Sequence, residues 1–251
     1  MFCLYLAGRR CAPAVFNAPR RRKKFIMSLV LITGLSLIIV PILFNVVFFA
    51  LGRSFEYPDI LRKPTDEILQ RFAAGGVRLV TLWYLFGVTA LLAVPMSLLV
   101  FFVFYDAQPA LAITSAILGV LSGLVQAFGL FRWSFVVPSF AAVFVASESS
   151  SAARDAVRVA FGAFHQYAGV AIGEHLGYLF TASWTFVVAT MIGASPLFAP
   201  ALPLLGIASG IGILVGLLEP AGWKPAGAVN AISYLLWSVW LILVGLTFVF
   251  A

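Results

Sequence analysis

Long apolar runs separated by polar connections dominate the chain. Six of them, residues 25–51, 77–105, 110–131, 163–192, 197–218 and 226–250, reach the roughly 20 residues a helix needs to cross about 30 Å of hydrocarbon. The runs are continuously apolar rather than alternating, which excludes a transmembrane β-barrel. In hydrocarbon every backbone N–H and C=O must be satisfied within the segment, so each run is expected to be a helix. The first run is too long for a signal peptide and lacks a small-residue cleavage site, so it reads as an anchor. Pro41 and Pro95 fall mid-span in the first two helices, where a missing N–H bends the helix.

Two connections are more than turns. In 52–76, Thr65 is expected to cap a short helix whose first turn carries Asp66 and Glu67, with Ile68, Leu69 and Phe72 on one face. In 132–162, the apolar stretch 133–145 is short and interrupted by Pro138. It reads as an interfacial or re-entrant piece rather than a seventh span. The serines of "SESSSAARDAVRVAFGAF" offer an N-cap, and Ala153, Val157, Ala160, Phe161 and Phe164 make a helical stripe leading into the fourth span. With two crossings between them, both connections are expected on one side of the membrane. The expectation is an all-α polytopic membrane helix bundle of six transmembrane helices plus two short amphipathic surface helices. Residues 25–251 form its single domain and 1–24 a basic, disordered tail.

Composition agrees. The 251 residues are 63% hydrophobic and only 10% charged, and the mean hydropathy is +1.07. A soluble domain is nearer half apolar and a quarter charged, so a soluble enzyme, a disulfide scaffold and a disordered chain are excluded. The net charge of +7 does not point to nucleic acid, because seven of the sixteen basic residues lie in the first 24 positions. A basic flank beside a long apolar run is a topology signal. The remaining nine nearly balance it across the membrane. The five adjacent positives, Arg20, Arg21, Arg22, Lys23 and Lys24, touch the first helix and favour cytoplasmic termini. A translation start at Met27 would remove them and reverse that assignment. Cys3 and Cys11, both in the tail, make no disulfide framework and no metal-type spacing.

Ionisable groups inside a span are costly and are functional candidates by default. The fourth span, "FHQYAGVAIGEHLGYLFTASW", concentrates them. At about 100° per residue, Glu174 falls opposite His165, while Tyr167 and Tyr178 lie within about 40° of Glu174. Tyr167, Glu174 and Tyr178 should form one polar stripe, with Glu174 and Tyr178 in hydrogen-bond reach as i,i+4 neighbours; His175 points about 100° away. Gly169, Gly173 and Gly177 repeat every four residues and allow another helix to approach closely. The alternative is structural: Glu174 and His175 hydrogen-bonded inside the bundle with no ligand. His165 and His175 are about 15 Å apart along one helix, so they cannot share an ion. No metal site, haem site or other cofactor is expected. Among catalytic motifs, H-E-x-x-H, G-x-S-x-G, the P-loop and G-x-G-x-x-G are all missing from the sequence, so no catalytic residue is assigned.

At "FEYPDILRKPTDEILQRF", "RWSFVVPSFA", "FHQYAGVAIGEHLGYLFTASWT" and "LLEPAGW…NAISYLLWSVWLI", the chain resembles a family of bacterial multi-pass membrane proteins catalogued only as a domain of unknown function. The resemblance runs from about Phe25 to the end. It implies a bacterial inner-membrane location and one helical domain, and it brings no activity with it. The functional expectation is a non-catalytic membrane protein, a sensor or accessory, that binds a small apolar or lipid-like ligand or a partner beside Tyr167, Glu174, His175 and Tyr178. Its partners would be the bilayer, such a ligand and further copies of the chain. Two rivals stand beside it. A proton-coupled secondary transporter would use Glu174. An intramembrane lipid-modifying enzyme would need a second acid, base or ligand, such as Glu219 or Asp106, within reach of Glu174 or His175.

Overall fold

The computed structural model describes residues 20–251, with side chains from Met27 onward. Most of the expected tail 1–24, with Cys3 and Cys11, lies outside the described residues. Its last five positions belong to the first helix, α1 (Arg20–Phe55).

The chain continues through α2 (Thr65–Leu91), α3 (Ala93–Phe104), α4 (Pro109–Phe135), α5 (Val137–Val145), α6 (Ser151–Phe164), a π-helical segment (His165–Leu176), α7 (Gly177–Gly193), α8 (Ala201–Val215) and α9 (Ala226–Val249). Among the described residues, six helical stretches are long and apolar enough to cross a membrane. The chain is a membrane-spanning helix bundle.

Prolines set the breaks. α2 and α3 make one crossing, interrupted at Leu92 because Pro95 has no N–H to offer the Leu91 carbonyl. The ladder resumes where Met96 N donates to Leu92 O at 3.2 Å. Pro138 acts alike at the junction of α4 and α5. Pro41 stays inside α1.

Three stretches far exceed one crossing: Thr65–Phe104 has 40 residues, Pro109–Val145 has 37 and Ser151–Gly193 has 43, against about 20 for a span. The excess lies on one side and forms a cap. Gly76, at φ 54° and ψ −152°, separates the surface turns 65–75 from the span below; few L side chains adopt that φ. Ser150 caps α6 by accepting from Ala153 N at 3.2 Å. Thr65 does not cap α2. It is the first helical residue, and Pro64 holds the cap position without a side-chain bond. Pro64 supplies its carbonyl to Ile68 N at 3.1 Å. The two surface helices are clasped by Arg158, whose Nε and Nη2 donate to the two Asp66 carboxylate oxygens at 2.7 and 2.8 Å, the strong bidentate form of such a pair.

Two apolar cores follow. The cap side is filled by Leu51, Phe55, Ile68, Phe72, Trp83 and Trp133, with Val157 and Phe161 of α6 closing over them. The opposite half is packed by Met96, Phe104, Trp184, Trp240 and Phe248. The site borders the cap-side core, whose Trp83, Phe86 and Trp133 form part of its wall.

Candidate functional site

Pairs of small residues set the depth of the site. A Cβ on Gly129 of α4 would lie 2.6 Å from the Gly173 Cα, so α4 and the π segment meet backbone to backbone, as small-residue contacts in membranes allow. Gly169 leaves its space to the Arg132 guanidinium, and Gly177 to the Gln126 side chain. From α1, Asn45 Nδ2 donates to Pro41 O at 2.8 Å and to Ser238 Oγ at 2.9 Å, tying α1 to α9. Gln126 Nε2 donates to Ser122 Oγ at 2.9 Å and Thr181 Oγ1 at 3.1 Å.

Between these ties lies a cavity of about 580 Å³. Phe44, Phe48, Tyr57, Trp83 and Phe86 wall it on one side, and Tyr178 and Tyr234 on another. Trp83 stacks on Trp133 at 4.7 Å and 12°; Tyr178 and Tyr234 meet at 5.9 Å. Arg132 lines the cavity and is 7% exposed. Its Nη1 donates to Gly129 O, its guanidinium lies 5.2 Å from the Trp133 ring centroid, and its buried Nε has no hydrogen-bond partner among the described residues.

The short turn Asp59–Arg62 closes the cap side. Arg62 Nε donates to Glu219 Oε1 at 2.6 Å and its Nη2 to Glu174 Oε2 at 3.1 Å. One guanidinium thus latches the 56–64 connection to the fourth span and to the end of the fifth. Partial burial works against that charge, but the bond to Glu219 and the charge of Glu174 outweigh it and hold Arg62 more firmly protonated than a free arginine. Burial, then the Glu174 charge, push the Tyr57 hydroxyl up, so it stays a neutral donor at neutral pH. Next to the latch, Glu56 binds Lys63 at 2.5 Å and also Arg71. Its hydrogen bonds to those two cations hold its carboxyl down at about 2.

The structure separates the sequence-derived residues. Glu174 and Tyr178 line the cavity. His175 is exposed and faces a smaller adjoining recess of about 250 Å³, shared with His165, Glu174 and Arg62. Tyr167 is 71% exposed and lines neither. The expected stripe is corrected by the π-helical segment His165–Leu176. With more than four residues per turn, the nine residues from His165 to Glu174 make roughly two turns instead of two and a half. His165 therefore returns to the Glu174 face, and Tyr167 leaves it. His165 Nε2 is 3.1 Å from Leu61 O. No hydrogen bond joins Glu174 to Tyr178 among the described residues; the carboxylate turns to Arg62. Glu219 reaches Glu174 only through that same guanidinium.

Arg62, Arg132, Trp83 and Tyr234 are site residues that the sequence did not mark. Arg132 had one visible signal: a cation inside "LFRWSF" with apolar neighbours on both sides, which is costly unless it faces a cavity.

The family described as "Domain of unknown function (DUF4386)" matches residues 32–245. No curated protein and no solved structure matches the chain.

Proposed function

The chain belongs to the DUF4386 family of domains of unknown function, and on that premise we propose that it is a non-catalytic integral membrane protein that holds a small apolar or lipid-like ligand in the capped cavity. The observation that carries this is the cavity itself: about 580 Å³, walled by aromatic rings and placed between five of the six spans. Ligand sites are commonly 300–1,000 Å³, mostly apolar, with few polar groups. The Arg62 latch supports a sensor or accessory role, because a ligand that shifts the 56–64 connection would also shift the surface helices that follow it. Packing of the opposite half by Trp184, Trp240 and Met96 favours binding over passage through the bundle.

The reading takes the membrane to be a bacterial inner membrane, on the resemblance of the motifs quoted above. It takes both termini to be cytoplasmic, on the five basic residues at positions 20–24.

Native mass spectrometry of the purified chain in a mild detergent, after exposure to a host lipid extract, tests the binding. Wild type is expected to retain a defined small mass. Ala231→Trp, which fills the cavity from α9, is expected to lose that mass while melting at an unchanged temperature. A wild type that retains no mass and gains no thermal stability from the extract overturns the proposal.

A further inference from the structure

Arg132 is a cation held inside the bundle without a counter-charge. It is 7% exposed, and among the described residues no ion pair joins it to a carboxylate, since Glu174 and Glu219 both bind Arg62. Asp59 and Lys224, the other charged residues of the cavity lining, are exposed. A lone buried charge is costly unless a counter-charge accompanies it. The helices nevertheless make room for this one. A Cβ on Gly169 would meet Arg132 Nη2 at 2.5 Å, so this glycine of the four-residue repeat accommodates a guanidinium.

The three guanidinium nitrogens differ. Nη1 donates to Gly129 O, and Nε is closed off. Nη2 makes no hydrogen bond among the described residues, yet it is not closed off as Nε is. Arg132 and Gly169 both line the cavity, so Nη2 is the nitrogen open to a molecule there. The Tyr57 hydroxyl is alike: it is unbonded among the described residues, it is not closed off, and it belongs to the same lining. Rings join the two groups. Tyr57 meets Trp83 at 5.2 Å, Trp83 stacks on Trp133, and Arg132 lies over Trp133. The charge of Arg132 acts on the Tyr57 hydroxyl.

Charge decides what such a place holds. A cationic head would face Arg132. A neutral head would leave its charge uncompensated. An anion supplies the missing counter-charge, and a charge-assisted hydrogen bond from Nη2 would be strong where water is scarce. Phe44, Phe48 and Phe86 line the same cavity and suit a hydrocarbon chain, so the anion belongs to an amphiphile rather than standing free.

We infer that the cavity takes a single-chain amphiphile with an anionic oxygen head, a carboxylate or a phosphate ester, seated on Arg132 with the Tyr57 hydroxyl as a second donor. This rests on the cavity-binding reading above and names its ligand class.

Four probes test it: laurate, dodecyl phosphate, methyl laurate and inorganic phosphate. Each is titrated onto the full chain in one uncharged detergent at mildly alkaline pH, with apparent affinity read from ligand-dependent thermal shift. At least one of the two anionic amphiphiles is expected to bind about tenfold tighter than methyl laurate, and tighter than inorganic phosphate. Which of the two binds tighter identifies the head. Arg132→Met should erase the anionic preference and leave methyl laurate binding as it was. Tyr57→Phe, which removes one hydroxyl while keeping an aromatic wall, should reduce the preference without abolishing it. The wild-type comparison needs no variant, so it decides even where Arg132→Met fails to fold. Methyl laurate binding as tightly as both anionic amphiphiles, or a preference that persists in a folded Arg132→Met protein, overturns the inference and leaves the cavity reading standing. Inorganic phosphate binding as tightly as dodecyl phosphate makes the site one for a free anion and overturns the amphiphile. No binding by any probe overturns both the inference and the cavity reading.

Discussion

Glu56 stands where a glycine is usual. It follows the end of α1 with φ 54°, and its N–H donates to Gly52 O at 3.1 Å while Tyr57 N donates to Leu51 O at 3.5 Å, the pattern of a helix closed by a left-handed residue. What recommends glutamate there is its carboxylate, which gathers Lys63 and Arg71 and so fixes the first residues of the cavity's lid. Its carboxyl is lowered from 4.5 to about 2. A group depressed by folding stabilises fully above its unfolded value and loses that contribution as pH falls towards its folded value. Acidifying from pH 5 to pH 2 should therefore lower the melting temperature of the wild type more than that of Glu56→Gln. Equal slopes in the two proteins would show that the pairs add nothing to folding. At this scale the sequence was half legible. Glu174 could be found because an ionisable residue in a span is conspicuous. Arg62 could not be joined to it, because the two are 112 positions apart and only the closed connection brings them together.

The elements themselves were largely readable and their internal twist was not. Hydrophobic run length places six crossings, and the stripe through Val157 and Phe161 marks α6, because both properties are written residue by residue. The widened turn of His165–Leu176 leaves no such trace, since the same residues satisfy either period, and the face of every side chain in that segment depends on it. π-Helical turns are uncommon and concentrate at functional sites, which agrees with Glu174 lying in this one. Close packing of the segment against α4 makes a prediction with two signs. Gly129→Ala would set its Cβ 2.6 Å from the Gly173 Cα, a backbone neighbour that cannot swing aside, and should destabilise by about 1–3 kcal/mol. Gly162→Ala in α6 meets nothing within 4 Å and should stabilise by up to about 1 kcal/mol through helix propensity. Melting of the two variants in one detergent checks both. A Gly129→Ala protein as stable as wild type would mean that α4 and the π segment are not in backbone contact.

For the whole molecule, six crossings place the connections 56–64, 146–150 and 219–225 on one side of the membrane, and 105–108 and 194–200 on the other. All nine basic residues beyond position 24, and every acidic residue except Asp106, then belong to the capped half. That asymmetry explains why charge counting alone left the orientation open: the capped half carries nine positive and eight negative charges, many tied in ion pairs such as Arg158–Asp66 and Lys63–Glu67, and the positive-inside rule counts basic residues rather than net charge. The topology can be tested apart from the orientation. In a chain with Cys3 and Cys11 changed to serine, single cysteines at Ser147→Cys and Ala221→Cys should react with an impermeant thiol reagent from the same side of sealed vesicles, and Ala199→Cys only from the other. Ser147 and Ala221 are separated by the fourth and fifth spans, so labelling from opposite sides would mean that one of those two does not cross. The fourth is the span at stake. Its helical stretch begins with a charged surface helix and contains the π turn, and the cavity has its present lining only if Glu174 and Tyr178 lie within a segment that goes fully through the membrane.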